Sequence, residues 1–200
     1  KNIYQVKPGR YLKVDDELNL EEVSYWDLPK SFNLSEEYDE DQILEEFEDE
    51  LTQAIKYRLN SDVPLGAYLS GGVDSSIITA ITALNKKDKV NTYTIGFDEL
   101  NEFEYSKIVA NKYNTDHHEI LITKGDYMSN WERLICYKDS PLGVPNEIPL
   151  AIMSTKLKEK ITVVLSGEGA DELLGGYGRI FRAPFDYKNE ANSVDFYDYF

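Results

Sequence analysis

The sequence predicts an α/β fold: a parallel sheet with helices on both faces. Three observations point there. From residue 63 onward, short apolar runs alternate with segments whose apolar residues recur at helical spacing. The first of these runs, Val63 to Leu69, is apolar nearly throughout, as in a strand buried on both sides. The chain has 200 residues, 42% of them hydrophobic, which is enough for one sizeable core.

The elements follow in order. Residues 3–14, "IYQVKPGRYLKV", predict two short strands around a Pro-Gly turn. Residues 15–37 are acidic and broken by Pro29, and read as a linker. Across 39–60, Ile43, Leu44, Phe47, Leu51, Ile55 and Leu59 fall on one helical stripe, with acids on the wet face. After the strand at 63–69 come a helix at Ser75–Leu84, a strand at Thr92–Phe97 and a helix at Phe103–Tyr113. Ile108 and Val109 form the apolar stripe of that last helix. "HHEILI" (117–122) is a third strand. Residues 125–137 and 148–159 are helical, and "ITVVL" (161–165) is a fourth strand. Strands alternating with helices are the signature of parallel pairing.

Net charge is −16, and it is concentrated. Residues 15–50 carry 16 Asp or Glu against Lys30 alone, while the rest of the chain is close to neutral. This is a solvated segment rather than a property of the whole surface, and it excludes nucleic acid as a bulk electrostatic partner. The 15 tyrosines are scattered and suit packing rather than base stacking. Cys136 is the single cysteine, so no internal disulfide forms and a reducing, cytoplasmic setting is expected. Its surroundings, "WERLICY", place it in the core. No apolar run is long enough to span a membrane. The chain starts at Lys1 and ends in "DFYDYF", which reads as a piece of a longer protein.

Two turns carry the chemistry. "YLSGGVDSS" (68–76) and "VLSGEGADE" (164–172) each set Leu-Ser-Gly after an apolar strand, with an Asp shortly beyond: Asp74 and Asp171. In a parallel sheet all strand C-terminal ends share one edge, so the two turns can face one cleft. Ser70, Gly71 and Gly72 suit a tight turn at a helix N-terminus, where amides and the helix dipole favour an anion. No Lys follows the glycines, so this is not the nucleoside-triphosphate P-loop. Between Ile161 and Gly178 stand Glu168, Asp171 and Glu172, with no Lys or Arg. Carboxylates and phosphates in one cleft repel. Mg²⁺ resolves this, since it takes one or two carboxylates together with phosphate oxygens. Asp74 and Asp171 are the candidates to hold it on ATP.

"SGGVDS" (70–75) resembles the pyrophosphate-binding loop of the N-type ATP pyrophosphatases, which have the adenine nucleotide alpha hydrolase-like (HUP-type) fold. "LSGEGADELLGGY" (165–177) resembles the second motif of the glutamine-dependent asparagine synthetase family, and "TYTIGF" and "HHEI" sit where that family has similar segments. "VKPGRYLKV" and "YWDL" resemble the exit from its glutaminase domain. The resemblance spans nearly all of the chain. It implies a short β remnant with the glutaminase tail and linker at 1–30, and a C-terminally truncated synthetase domain at 31–200. It implies ATP and aspartate giving β-aspartyl-AMP and pyrophosphate, then attack by ammonia made from glutamine in the glutaminase domain of the same chain. It leaves room for a homodimer. It implies that Ser70, Gly71, Gly72, Asp74 and Ser75 hold pyrophosphate, and that Leu69 and Ile95 line the adenosine pocket. Ser166 and Gly167 would touch the nucleotide, Glu168 would sit by the acyl-adenylate, and Asp74 and Asp171 would hold Mg²⁺. The glutaminase's N-terminal Cys is absent, so the piece alone is expected to lack the full activity. Pro145, Asn146 and Glu147 stand where some members carry an Arg near the substrate, which leaves the acceptor acid open.

Other residues read as structural. His117 and His118 point to opposite faces of a strand and cannot chelate together. Lys86, Lys87 and Lys89 form the charged end of the first Ser-Gly loop's helix. Arg179 and Arg182 are candidates for phosphate contact. A related amidotransferase acting on a sugar acid or peptide precursor, and a nucleotide-binding module without catalysis, both remain compatible with the two loops. A tRNA-thiolating relative would offer catalytic cysteines.

Overall fold

The computed structural model describes residues 3–28 and 39–178. The chain divides into two compact units, Lys1–Glu45 and Glu46–Phe200.

In the first unit, β1 (Arg10–Val14) and β2 (Leu20–Ser24) form an antiparallel hairpin. The Pro-Gly turn precedes β1 instead of joining two strands within 3–14. The partner strand comes from the acidic segment that was expected to be a linker. Asp15 builds the connecting turn. Its carboxylate accepts from the amides of Glu17 (3.0 Å) and Asn19 (2.8 Å) and from Asn19 Nδ2 (2.9 Å). Those bonds, the Asn19 side chain's first, hold its carboxyl below the usual range. Some of the acidity is paired across the strands: Arg10 Nη1 meets Glu22 Oε2 at 2.8 Å and Lys13 Nζ meets Glu21 Oε2 at 3.5 Å. Pro29 lies outside the described residues.

The second unit is organised by β3 (Leu65–Tyr68), β4 (Asn91–Phe97), β5 (Asp116–Ile122) and β6 (Val163–Leu165). They form a sheet in the order β5-β4-β3-β6, with every neighbouring pair parallel. Ala67 pairs with Thr92 on one side and with Leu165 on the other. The helices are α1 (Glu40–Leu59, which begins in the first unit), α2 (Val73–Asn85), α3 (Phe103–Lys112), α4 (Lys124–Lys138), α5 (Glu147–Leu157) and the short α6 (Ala170–Leu174). β3 and β6 start later than predicted: the Pro64 carbonyl accepts from the amides of Thr162 (2.8 Å) and Val163 (3.2 Å), but proline has no N–H with which to extend the ladder further.

Side chains alternate through the sheet. Leu65, Ala67 and Leu165 point to one face and pack with Ile55 of α1 and Val90. Tyr68, Tyr93, Ile95 and Val164 point to the other, against Met153 and Leu157 of α5. Both faces are therefore covered, as a parallel sheet requires. Of the predicted stripe on α1, Leu51, Ile55 and Leu59 pack in this core, while Ile43, Leu44 and Phe47 are exposed.

Two helices bury other positions than expected. On α3 the buried positions are Ser106 and Ala110, and Ile108 is exposed. The strand face beneath α3 carries Thr92 and His117, which small polar side chains can meet. On α4 the inward stripe is Tyr127, Asn130 and Leu134. Cys136 falls on the far side of the helix from that stripe and is exposed, not in the core. α4 starts at a capping box, in which Thr123 Oγ1 accepts from the Asp126 amide (3.1 Å) and Asp126 Oδ2 accepts from the Thr123 amide (2.8 Å). No helix among the described residues is long and apolar enough to cross a membrane.

Candidate active site

β3 is tied to its neighbour up to the first turn. The Leu69 amide donates to Tyr93 O at 2.9 Å, and Thr94 Oγ1 donates to Leu69 O. Leu69 is fully buried. The chain then reverses at Gly71, whose φ of 91° is left-handed. A methyl there would lie 2.5 Å from Tyr105 Cβ and 2.7 Å from the Ser106 amide nitrogen. Ser70 Oγ and Ser75 Oγ are 2.9 Å apart, the Gly72 amide donates to Ser70 Oγ (3.2 Å), and Ser75 Oγ donates to Gly72 O (3.2 Å). The turn is thus closed by its own hydroxyls. Gly72 is the N-cap of α2, and no side chain caps the helix. First-turn amides without a cap are available to an anion. Asp74 is in the first turn, one residue beyond the start of α2, and is not its cap.

β6 pairs directly with β3, so the second Leu-Ser-Gly turn emerges beside the first. The two touch. A methyl on Gly167 would lie 2.9 Å from Asp74 Cβ and 3.0 Å from the Ser75 amide nitrogen. The Glu168 amide donates to Ser166 Oγ at 3.3 Å. A cleft of about 540 Å³ opens at this edge. Leu69, Ser70, Asp74 and Ser75 line it from the first turn, Ser166, Gly167 and Glu168 from the second, and Ile95 from β4. Gly71 and Gly72 shape the turn behind the lining. Asp171 lies in α6, outside the lining.

Of the far wall, the resemblance placed only the segment around Asn146 near the substrate. Glu102, at the N-cap of α3, and Asn146, Leu150 and Met153, from the N-terminal end and body of α5, line the same cleft. Glu147, beside Asn146, turns away. Its carboxylate takes Lys138 Nζ and the amides of Gly143 (2.8 Å) and Val144 (3.2 Å). These partners, Lys138 first, hold its pKa below the usual glutamate value.

Asp74, Glu102 and Glu168 give the described lining three carboxylates and no Lys, Arg or His. The acids of the second motif share one field. Tyr177 OH donates to Glu172 Oε1 at 2.7 Å, and this bond, with the charges of Asp171 and Glu168, pushes the phenol up to about 12. Among the described residues no three His, Cys, Asp or Glu side chains converge as a protein-only metal cage. A Mg²⁺ carried on phosphate needs only one or two carboxylates, and this donor set fits it.

His117 and His118 do face opposite ways: His117 bonds Thr92 and Ser106, and His118 bonds Asn91, Asp116 and Lys160. Lys86 is the C-cap of α2, and Lys87 and Lys89 lie beyond it, so none forms the helix's last turn and none lines the cleft. Arg179 and Arg182 lie outside the described residues.

The model of the asparagine synthase family matches residues 46–197. The chain is 35% identical over 152 residues to the glutamine-hydrolyzing asparagine synthetase 1 of Bacillus subtilis, covering 75% of this chain and 24% of that protein. It is 34% identical over 180 residues to a Methanocaldococcus jannaschii protein provisionally named a glutamine-hydrolyzing asparagine synthetase, covering 88% and 34%. It is 31% identical over 201 residues to the amidase chry2 of Gibberella zeae, covering 92% and 30%. The chain thus spans about a quarter to a third of the length of these relatives. With its two Leu-Ser-Gly turns packed together on one sheet edge, the chain belongs to the asparagine synthase family.

Proposed function

We propose that this chain is the synthetase part of an ATP-dependent ligase that adenylates the side-chain carboxylate of aspartate and transfers the acyl group to ammonia. The observation that carries the reading is the contact of Gly167 with Asp74, which joins two acid-bearing Ser-Gly turns into one wall. In this reading residues 1–30 are the tail of a glutaminase-like domain and linker, and 31–200 belong to the synthetase domain. Ammonia comes from glutamine hydrolysed elsewhere in the same longer chain, in the cytoplasm.

In the first step an aspartate side-chain oxygen attacks the α-phosphorus of ATP. The bond to the bridging oxygen breaks and pyrophosphate leaves. Ammonia then attacks the acyl carbon, the acyl–oxygen bond breaks, AMP leaves with the electron pair, and the nitrogen loses a proton. The uncapped amides of α2, with Ser70, Gly71, Gly72, Asp74 and Ser75, cradle the pyrophosphate. Leu69 and Ile95 hold the adenosine, and Ser166 and Gly167 touch the nucleotide. Glu168 lies in the cleft as a base for the ammonia proton. Asp74, in the lining, is proposed to hold Mg²⁺, which when bound would screen the phosphates and the departing pyrophosphate; Asp171, the second residue expected for it, lies outside the lining. A lining without a described cation favours an acid that brings its own ammonium, such as an amino acid, over a sugar acid.

The amidase-named relative, matched over 92% of this chain, supports a second reading with a different acceptor carboxylate. The test is pyrophosphate release from ATP by the full-length protein with Mg²⁺, with and without aspartate and across a panel of acids. Release that depends on aspartate supports the proposal, and dependence on another acid selects the second reading. Asp74→Ala is expected to abolish release, and unchanged release would refute its metal role.

A further inference from the structure

His117 lies outside the cleft, yet it is bonded at both ring nitrogens between β4 and α3. Its Nδ1 is 3.0 Å from Thr92 Oγ1, and its Nε2 is 3.2 Å from Ser106 Oγ. Thr92 and Ser106 are fully buried. Thr92 Oγ1 is 2.8 Å from Thr115 Oγ1, and Ser106 Oγ donates to Phe103 O at 3.1 Å. For a neutral imidazole, one assignment of hydrogens satisfies every bond. The Ser106 hydrogen goes to Phe103 O, so Ser106 must accept from His117 Nε2–H. Nδ1 is then the acceptor, Thr92 donates to it, and Thr115 donates to Thr92. The result for the neutral ring is a one-way chain from Thr115, just before β5, through β4, to the first turn of α3. It requires the ring proton on Nε2.

The turn that this chain holds is also the wall behind Gly71. Tyr105 Cβ and the Ser106 amide nitrogen are the atoms that a side chain at Gly71 would strike. The left-handed turn of the phosphate loop therefore rests on the helix turn that His117 secures.

We propose that His117 is a positioning residue for the phosphate loop, fixing the Gly71 turn through Ser106 by acting as an Nε2–H donor. The nucleotide part of this rests on the reading that the loop binds ATP. Several charged groups face the imidazole: Glu119 from its own strand favours the charged form, while His118 and Lys107 oppose it, with Lys107 itself paired to Glu119 at 2.9 Å. Burial is the largest influence and lowers the pKa. The neutral ring therefore predominates at neutral pH; protonation adds a hydrogen at Nδ1, reverses the bond with Thr92 and leaves the Nε2–H bond to Ser106 in place.

Three variants of the full-length protein test this. His117→Gln retains a donor near the Nε2 position, His117→Asn does not reach Ser106, and Ser106→Ala removes the acceptor. The first measurement needs no nucleotide: amide hydrogen exchange of Gly72, whose N–H donates to Ser70 Oγ at 3.2 Å. Protection should fall in His117→Asn and Ser106→Ala and be restored in His117→Gln. The second is steady-state kinetics at neutral pH. His117→Asn should raise KM for ATP by roughly two- to tenfold, the scale of one lost hydrogen bond, with the acid's KM unchanged. His117→Gln should restore the wild-type KM for ATP. Unchanged Gly72 protection in His117→Asn, or a rise in both KM values together, overturns the role of His117. Lost protection in a protein that does not bind ATP leaves that role standing and refutes the reading of the cleft instead.

Discussion

Replacing Gly167 by alanine drives a methyl group into the seam between the two Ser-Gly turns. Its carbon would sit 2.9 Å from Asp74 Cβ, 3.0 Å from the Ser75 amide nitrogen and 3.1 Å from the Asp74 carbonyl carbon. Ordinary carbon contacts begin near ~3.5 Å, so the turns must part by roughly half an ångström. The atoms struck belong to the backbone and Cβ of the first turn of α2, so no rotamer change relieves the clash. Overpacking of this kind costs about 1–3 kcal/mol. α2 is anchored by its buried Ser75, Thr79 and Thr82, whereas the second turn runs into the five-residue α6. The second turn is therefore the one that yields, and the cleft widens at Ser166 and Glu168. Calorimetric titration of the full-length protein with a non-hydrolysable ATP analogue and Mg²⁺ should show affinity weakened by roughly five- to hundredfold, the equivalent of that strain. Gly178→Ala, where a methyl meets nothing within 4 Å, is the matched control and should bind as wild type. A folded Gly167→Ala protein with wild-type affinity would refute the idea that the two turns form one site.

Two further outcomes follow from local geometry. Glu147 braces the loop that carries Asn146 and titrates below the usual glutamate range, so its bracing is complete at neutral pH and is lost as pH falls through that lowered value. Exchange protection of the Gly143 and Val144 amides should follow this curve, and Glu147→Gln should remove the pH dependence. Thr123→Ala removes one half of the capping box of α4 and should lower stability by about 0.5–2 kcal/mol, read from the urea midpoint at constant slope.

Much of the site was legible because its key residues lie where strands end. An apolar run stopping at Ser70 or Ser166 marks the C-terminal edge of a parallel sheet, and the shared Leu-Ser-Gly pattern predicts that the two turns face each other. β3 and β6 are indeed neighbours. What periodicity could not give was the stripe that each helix buries. Ile108 and Cys136 are apolar and at plausible spacing, but the surfaces facing α3 and α4 choose other positions. The hairpin partner was hidden for a related reason: the turn rests on the carboxylate of Asp15, with neither Gly nor Pro to mark it. Glu102 reaches the cleft from an element distant in sequence, and no local pattern announces it; Asn146 was placed near the substrate by the family resemblance alone.

Asp74 shows how packing sharpens a motif. A carboxylate in the first turn of a helix is favoured by the helix dipole, so the residue alone says little. In the folded chain it lies in a cleft with Glu102 and Glu168, and no described cation lines that cleft. Its backbone is pressed against Gly167, so it cannot swing away from the second turn. A carboxylate fixed beside amides that favour anions raises the charge cost of binding phosphate unless a cation arrives with it. The same geometry that would make free pyrophosphate a poor ligand would make magnesium-bound pyrophosphate a good one. Binding of pyrophosphate with and without Mg²⁺ is therefore the direct measure of why an acid occupies this turn.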